Sequence, residues 1–507
     1  MRGVCLVCLK HCHPIVLLSP YMWKVVGVTL PFTSSSAGVE GVTHDLWVLA
    51  HCPPSQQAQV FCWGNFLGIL FPPIGLRVQR MHLIDYLLLL LIGLLALSHG
   101  QLHVEHDGES CSNSSHQQIL ETGEGSPSLK IAPANADFAF HFYYLIASET
   151  PGKNIFFSPL SISAAYAMLS LGACSHSRSQ ILEGLGFNLM ELSESDIHRG
   201  FQHLLHTISL PGHGLETRVG SALFLSHNLK FLAKFLNDTT AFYEAKLFHT
   251  NFYDTVGTIQ LINDHVKKET RGKIVDLVSE LKKDVLMVLV NYIYFKALWE
   301  KPFISSRTTP KDFYVDENTT VQVPMMLQDQ EHHWYLHDRY LPCSVLRMDY
   351  KGDATVFFIL PNEGKMREIE EVLTPEMLMR WNNLLQKRNF YKKLELHFPK
   401  FSISGSYVLD QILPRLGFVD LFSKWADLSG ITKQRKLEAS KSFHKATLDV
   451  DEAGTEAAAA TSFAVKFFSA QTNRHVLRFN RPFLVVIFST STQSVLFLGK
   501  VVDPTKP

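Results

Sequence analysis

The chain has 507 residues, with 47 basic and 47 acidic side chains and therefore a formal net charge of zero. This balance gives no global electrostatic field, which argues against nucleic acid as a partner and restricts any polyanion site to a local patch. The length allows two to four average domains or one large domain, and the composition is ordinary for a soluble globular protein.

Residues 81–100 have the pattern of a secretory signal peptide. The stretch 87–97 is nearly all apolar and is followed by Ser98, His99 and Gly100, with small residues around the cleavage position. The apolar run is too short to cross a bilayer, which needs about 20 such residues. We predict a secreted protein cleaved after Gly100, with residues 1–80 as an upstream extension absent from the mature protein.

Two clusters of the sequence contain residue types that can bind a metal ion. The first cluster lies in the upstream extension, residues 1–80, and its Cys and His spacing would give half of a zinc site. No second pair of ligands follows it at a suitable spacing. The second would offer three imidazoles if its segment were helical, but the neighbouring acidic and aromatic residues favour a solvated segment. No metal and no cofactor are expected. The clusters are Cys5, Cys8, His11, Cys12 and His13, and His332, His333 and His337.

The mature chain is predicted to hold a polar, flexible tail and one packed domain. Residues 101–130 are polar with little apolar periodicity, and we assign 131–507 to the domain. Asn113, Asn237 and Asn318 begin N-glycosylation sequons, which fit a secretory compartment and a surface position.

Both helices and strands are expected in the domain. Phe138, Phe142, Leu145 and Ile146 recur at helical spacing and predict one apolar stripe. Residues 284–295 form a continuous apolar run that predicts a strand buried on both faces. Residues 356–361 predict another strand, and 483–488 with 495–501 predict an antiparallel hairpin.

A run of small residues near the C-terminus is the most informative motif. Taken alone, its alanines would favour an exposed helix, since Ala loses almost no side-chain entropy on folding. The flanking segments 441–450 and 479–483 change this interpretation. The motif comprises Glu452, Gly454, Thr455, Glu456, Ala457, Ala458, Ala459, Ala460 and Thr461.

These residues resemble the hinge of the serpin family, and the segments 154–163, 284–303 and 356–361 resemble that family as well. The resemblance extends from about residue 130 to Pro504. It implies an α+β serpin fold with three β-sheets, surrounding helices and an exposed reactive-centre loop. An inhibitory serpin inserts this loop into its central sheet, and only short side chains fit between existing strands.

The resemblance also implies residue roles in the central sheet. Asn154, Ser158, Ser161 and His444 are expected to form a polar network beneath the sheet, and Trp299 is expected near the point where the loop first inserts. The alternative is that the Asn and Ser residues only cap a helix or form turns.

The residues that a target protease would cleave, called the bait, follow from the family pattern. This pattern places the residue before the scissile bond fourteen positions beyond the hinge glycine. Counting from Gly454 reaches Phe468, so the predicted bond is Phe468–Ser469, with Phe467 as a second apolar anchor. Burying the Phe468 ring in an apolar S1 pocket would gain roughly 1.5 to 3 kcal/mol and suits chymotrypsin-like enzymes. The resemblance implies tissue kallikrein too; because kallikreins commonly cut after Arg, we expect both target classes.

The sequence also contains one basic cluster. Lys387, Arg388, Lys392 and Lys393 could bind heparin or other sulfated glycans, although such clusters are often simply solvated. No G-x-S-x-G or H-E-x-x-H motif occurs, so no enzymatic activity is predicted. A non-inhibitory serpin-fold carrier of a small hydrophobic hormone is the alternative, and the intact small-residue hinge argues against it.

Overall fold

The computed structural model describes residues 126–210, 214–433, 437–455 and 475–507. The helices are α1 Pro127–Glu149, α2 Pro159–Ser170, α3 Ser175–Gly184, α4 Glu194–Ser209, α5 Ala233–Tyr243, α6 Thr255–Glu269, α7 Met366–Val372, α8 Pro375–Leu384 and α9 Leu409–Ile412. The strands are β1 Ile155–Phe157, β2 Leu215–Ser226, β3 Lys246–Thr250, β4 Met287–Leu298, β5 Thr309–Tyr314, β6 Thr320–Gln328, β7 His332–His337, β8 Cys343–Asp349, β9 Thr355–Pro361, β10 Tyr391–Pro399, β11 Phe401–Val408, β12 Lys441–Val450, β13 Gly454–Thr455, β14 His475–Arg478, β15 Phe483–Ser489 and β16 Ser494–Val501.

The strands form three sheets, two of which share one strand. One sheet has the order β11-β12-β13-β4-β2-β3. The other strands run β1-β16-β15-β9-β8-β7-β10-β6-β5, with β14 added beside β10. Strand β10 belongs to two sheets, because its first residues pair with β7 while its later residues pair with β6 and β14. The predicted α+β architecture with three sheets is confirmed.

Strand β4 is buried on both faces, as its continuous apolar run predicts. Val288 and Val290 pack with Ile262 and Val266 of α6 on one face of the sheet. Leu289 belongs to the larger core cluster on the opposite face. Successive side chains of a strand alternate between faces, so a strand covered on both sides must be apolar throughout.

Helix α2 lies entirely within the protein, with every residue buried. Ser158 caps its first turn by accepting a hydrogen bond from the Ser161 amide at 3.2 Å, which satisfies one of the free amides that every helix start presents. The short strand β1 comes directly before this cap and pairs with β16. The cap fixes the chain direction between the two elements.

Helix α1 shows the predicted apolar stripe, with Phe138, Phe142 and Ile146 buried, although Leu145 is only half-buried. The helix begins at Pro127, inside the segment 101–130 that we predicted to be a tail. Proline is favoured in the first helical turn because its missing N–H would have no partner there. The boundary of the packed domain is therefore moved to the start of α1.

The C-terminal hairpin is confirmed. Strands β15 and β16 pair from Phe483 opposite Val501 to Ser489 opposite Ser494, and every residue of both strands is buried. Strand β15 also pairs with β9, which matches the predicted strand 356–361. The last strands of the chain therefore lie in the middle of a sheet.

The histidine segment 332–337 forms strand β7, so a helix with three imidazoles on one face is wrong. His333 is buried, whereas His332 and His337 are exposed. Over the described ranges, no group of three or more His, Cys, Asp and Glu side chains is arranged to hold a metal ion. No helix within those ranges has the length and apolar character needed to cross a membrane.

Candidate functional site

In the six-stranded sheet, β4 and β12 pair directly at one end and are separated by β13 at the other. The two residues of β13, Gly454 and Thr455, are called the wedge. Strands β4 and β12 pair directly in parallel from Lys441 opposite Val288 to Ala446 opposite Ile293. Beyond that point β13 lies between them and pairs antiparallel with both strands. The small-residue motif therefore starts inside the sheet, and the direct pairing of β4 with β12 ends at Ala446 and Ile293, before the residues that pair with β13.

Glycine is required at the first position of this wedge. Gly454 has a φ of 153°, and a Cβ built there would lie 2.1 Å from the carbonyl oxygen of Ala297. Only glycine tolerates both this backbone conformation and such a close approach. Asp451 fixes the preceding turn by accepting hydrogen bonds from the amides of Ala453 and Gly454, at 2.9 and 3.1 Å.

Trp299, directly after β4, and Tyr350, directly after β8, hold the wedge in place. Their rings stack with centroids 4.4 Å apart, and both side chains are buried. The Trp299 indole N–H donates to the Asp451 carbonyl at 3.0 Å, and the Tyr350 hydroxyl lies 2.9 Å from the hydroxyl of Thr455. Trp299 thus lies beside the first inserted residues.

Glu452 ties the hinge to two further elements. Its carboxylate accepts hydrogen bonds from the Thr308 hydroxyl at 2.7 Å and the Lys400 ammonium at 2.9 Å. Partial burial favours the neutral acid, but these two bonds outweigh it, and the pKa of Glu452 lies below its usual value. The Phe303 amide donates to the Glu452 carbonyl at 2.8 Å.

A polar network crosses the closed end of the sheet. His444 on β12 lies directly opposite Asn291 on β4, and the His444 Nδ1 is 2.7 Å from the Asn291 Oδ1. The Asn291 amide donates to the Ser161 carbonyl at 2.7 Å, and the Ser161 hydroxyl donates to the Asn291 Oδ1. Asn291, His444 and Ser161 are all buried, so these bonds join α2 to both strands away from water.

The partners of His444 define its charge and its tautomer. Its Nε2 accepts a hydrogen bond from the Ser158 amide at 3.1 Å, so the proton must reside on Nδ1, which donates to Asn291. Burial lowers the pKa of His444 to about 3. The imidazole is therefore neutral at physiological pH.

Asn154 does not take part in this network, contrary to the prediction. Its side chain accepts from the amides of Val502 and Asp503 at 2.8 and 3.0 Å, and donates to the carbonyls of Asp503 and Lys506, each at 2.8 Å. An Asn side chain offers one acceptor and two donors, and this contact uses all of them. Asn154 thus anchors the end of the chain, and Asn291 occupies the expected asparagine position.

The basic cluster occupies one short segment between α8 and β10. Lys387 and Arg388 are exposed around a turn of 3₁₀ helix, whereas Lys392 and Lys393 are half-buried in β10. The Lys392 ammonium lies 5.8 Å from the centre of the Tyr335 ring. Because strand residues alternate in direction, Lys392 and Lys393 point to opposite faces of β10.

Several predicted site residues lie outside the described residues. They are Asn113, Glu456, Ala457, Ala458, Ala459, Ala460, Thr461, Phe467, Phe468 and Ser469. Of the other sequons, Asn237 is exposed on α5 and Asn318 is exposed in the turn between β5 and β6. Both asparagines are therefore accessible to a glycan.

The structure also places residues at the site that the sequence analysis did not assign to it. Tyr350 and Lys400 contact the hinge, and Asn291 completes the polar network. A sequence signal marks Asn291, because its amide interrupts the apolar run 285–295, and a polar side chain in such a run needs a buried partner. No comparable sequence signal marks Tyr350 or Lys400.

Comparison with known proteins identifies this arrangement. The family model described as "Serpin (serine protease inhibitor)" matches residues 133–504. The chain belongs to the serpin family.

Two relatives show how the chain resembles proteins within that family. The chain is 96% identical to human kallistatin over 427 residues, which cover 84% of this chain and all of kallistatin. A crystal structure of human glycosylated kallistatin matches with a TM-score of 0.73 and 93% identity over 76% of this chain and all of that chain. A structure of cleaved kallistatin complexed with heparin matches with a TM-score of 0.64 and 96% identity, over 65% and 96% of the two chains. Human thyroxine-binding globulin complexed with its ligand matches with a TM-score of 0.70 and 45% identity, over 75% and 99%.

We predict that His444 makes the protein sensitive to mild acid. The folded-state pKa of about 3 lies below the usual value near 6.5, so the unfolded chain binds a proton that the native state excludes. Stability is complete above about pH 6.5 and falls by up to about 1.4 kcal/mol per pH unit as the pH drops towards 3. Between pH 7 and 5 this residue accounts for about 2 kcal/mol.

Urea unfolding at a series of pH values tests this prediction. In His444→Gln, the loss of stability between pH 7 and 5 should be smaller than in the wild type by that amount, even if the variant is less stable at pH 7. His206→Gln changes an exposed histidine and serves as the control. Equal pH dependence in all three proteins would contradict the role given to His444.

Proposed function

We propose that this protein is a secreted inhibitory serpin that traps serine proteases, with cleavage at Phe468–Ser469 as the triggering step. The signal segment 81–100 would direct secretion, and residues 1–80 would be absent from the mature protein, whose packed domain starts at α1. The glycosylated form of its relative kallistatin supports secretion. The chain acts as an inhibitor that is consumed, with no catalytic turnover of its own.

The wedge between β4 and β12 is the observation that carries this proposal. Gly454 and Thr455 already occupy the position of an additional strand, and both are buried. After Glu456, the residues 457–462 are all small, so they can enter the same gap without steric clash. A loop of large side chains would be excluded from such a gap.

The trapping step begins as ordinary proteolysis. The protease serine oxygen attacks the Phe468 carbonyl, an ester forms, and the bond to the Ser469 nitrogen breaks, with the leaving amine taking the proton held by the protease histidine. The segment that begins at Gly454 is then tethered only at its hinge end and can continue into the sheet. Insertion carries the esterified protease away before water hydrolyses the ester.

Tissue kallikrein and chymotrypsin-like enzymes are the proposed targets. Phe468 fits the deep apolar S1 pocket of a chymotrypsin-like protease, and Phe467 adds an apolar contact beside it. The resemblance to kallistatin, which carries 96% identity, supports tissue kallikrein. The protein is proposed to act as a monomer and needs no cofactor.

Heparin or a similar sulfated glycan is proposed to bind at Lys387, Arg388, Lys392 and Lys393. The relative solved as cleaved kallistatin complexed with heparin supports this partner. Exposed cations attract a polyanion through a local field that salt screens within about 10 Å. The two exposed cations of the turn are placed to make first contact, and the two of β10 lie next to them.

The alternative function, carriage of a small hydrophobic hormone without inhibition, has the support of thyroxine-binding globulin, a relative at 45% identity. Carriage alone gives no reason for the wedge at Gly454 or for the small residues that follow it. Inhibition explains both features. We therefore retain inhibition as the function.

We predict that Thr455→Arg converts the inhibitor into a substrate. Thr455 is buried and its hydroxyl meets Tyr350, so an arginine there must displace the wedge and place a charge in the gap. Chymotrypsin should then cleave the variant with little or no stable covalent complex on a denaturing gel. Thr309→Arg makes the same change at an exposed strand position and should retain the wild-type yield of complex. A normal yield from Thr455→Arg would contradict the insertion mechanism.

We predict that Phe468→Arg redirects inhibition towards trypsin-like proteases. An arginine pairs with the acidic S1 pocket of those enzymes and cannot be buried unpaired in an apolar pocket. Association rates with chymotrypsin should fall and those with trypsin should rise, while Phe468→Tyr should retain the original preference. Sequencing the C-terminal fragment should give Ser469 as its first residue. An unchanged preference, or a fragment starting elsewhere, would show that the bait is misassigned.

We predict that replacing all four cations of the basic cluster with alanine lowers the salt concentration at which the protein elutes from immobilised heparin. A matched control is the alanine replacement of Lys267, Lys268, Lys282 and Lys283, which are exposed on other elements and remove the same total charge. The control should elute close to the wild type. Equal shifts in both variants would mean that heparin responds to net charge and not to this segment.

A further inference from the structure

Glu456 is the exception among the residues that follow the wedge. Its side chain is long and charged, whereas residues 457–462 are all small. A carboxylate that enters a sheet between two strands loses part of its hydration, which costs free energy unless a cation or a hydrogen-bond donor meets it. If the loop inserts as proposed, the sheet must therefore offer a partner at the position that Glu456 reaches.

The register of β13 defines that position. Thr455 lies opposite Ala297 of β4 and opposite Val450 of β12. Because the wedge is antiparallel to both strands, the next residue of an inserted strand comes opposite Lys296 on one side and Asp449 on the other. Directly opposed residues on neighbouring strands point to the same face of a sheet, so the inserted side chain would lie between these two.

Lys296 and Asp449 point to the face of the sheet that α6 covers. Tyr292 of β4 and Phe443 of β12 pack in the same cluster as the apolar residues of α6, and every second residue of a strand shares a face. The segment after α6 reaches this face too, where the Lys273 ammonium donates to Asp449 at 3.1 Å. Both side chains of that ion pair are only partly exposed, so water screens the charges of this region incompletely.

The space for the next inserted residues is already partly present. In the described structure, residues 294–296 of β4 and 447–449 of β12 are not paired with each other, although the two strands pair directly further on. A cavity of about 10 Å³, close to the smallest that can hold one water, lies there. It is lined by residues 293–295 of β4, by Thr447 and Asp449 of β12, and by Lys273 and Ile274.

Lys296 is a half-buried cation that forms no ion pair or hydrogen bond with a described residue. The residue opposite it on β2 is Glu216. The Glu216 carboxylate already binds Arg218 at 2.9 Å and Arg271 at 2.8 Å. Lys296 therefore remains able to bind a further carboxylate that arrives from the side of β12.

We propose that Lys296 is the docking point for the Glu456 carboxylate, which it binds when the loop enters the sheet. This inference rests on the proposed inhibition and gives Lys296 a positioning role in it. Lys273 would stay with Asp449, so that two ion pairs lie side by side across the inserted strand. A contact that exists only after entry stabilises the inserted state and not the native one, so it shifts the balance towards insertion.

A double-mutant cycle with chymotrypsin as the protease tests this pairing. Lys296→Gln and Glu456→Gln should each raise the ratio of cleaved inhibitor to covalent complex by about three- to tenfold, the effect of losing one half-buried charged hydrogen bond. The double variant should be no more impaired than the worse single variant, because both substitutions remove the same interaction. Lys296→Arg keeps the charge and should restore most of the wild-type yield of complex.

Lys246→Gln is the matched control, since it changes an exposed lysine on β3, the edge strand of the same sheet. Its ratio of cleaved inhibitor to complex should equal that of the wild type. Two results would overturn the pairing. One is a double variant in which the two single effects simply add, and the other is an arginine variant as impaired as Lys296→Gln.

Guanidinium unfolding of the loop-cleaved protein gives a second measurement that needs no covalent complex. In the cleaved form, the effects of Lys296→Gln and Glu456→Gln on stability should be non-additive, whereas in the uncleaved form they should be independent. Cleavage of the wild type without complex, together with this coupling, would refute inhibition but support the pairing. A normal wild-type complex without coupling in either measurement would refute the pairing and leave inhibition standing.

Discussion

The rest of the structure depends on the separation of β4 from β12 at one end of the central sheet and their direct pairing at the other. The parallel ladder from Lys441 to Ala446 closes the sheet, and the His444–Asn291 hydrogen bond joins the same two strands. At the opposite end β13 keeps them apart, held by Trp299 and Tyr350. Because β4 and β12 are paired at one end and already separated at the other, the sheet retains a position for one more strand between them.

Completing that strand changes the hydrogen bonding in a favourable direction. The wedge is antiparallel to both neighbours, so its extension would replace one parallel ladder by two antiparallel ones, and parallel pairing is slightly less stable per residue. The same extension must separate His444 from Asn291, which are both buried and would lose the hydrogen bond between them. The polar network therefore opposes opening until a new strand supplies replacement contacts.

Most of the fold was predictable because its signals are local. The apolar run of β4, the C-terminal hairpin and the stripe on α1 are each encoded within one short segment. The position of Trp299 beside the hinge was instead expected from the family resemblance. The network asparagine was assigned wrongly for the opposite reason. Asn154 is close in sequence to Ser158 and Ser161, whereas Asn291 is 130 residues from Ser161 and reaches it only through the packing of β4 against α2. The strand at 332–337 was missed because three histidines in six residues match neither period clearly.

The position of the last strands determines what a cut in the loop can do to the molecule. A break anywhere between Thr455 and His475 severs the covalent chain, but β14, β15 and β16 remain paired within a sheet on the far side of the break. Asn154 additionally holds the backbone of residues 502–506 to the start of β1. The clipped molecule is therefore two polypeptides in one particle. It should keep its native mass and hydrodynamic size, and only a denaturant will separate the pieces.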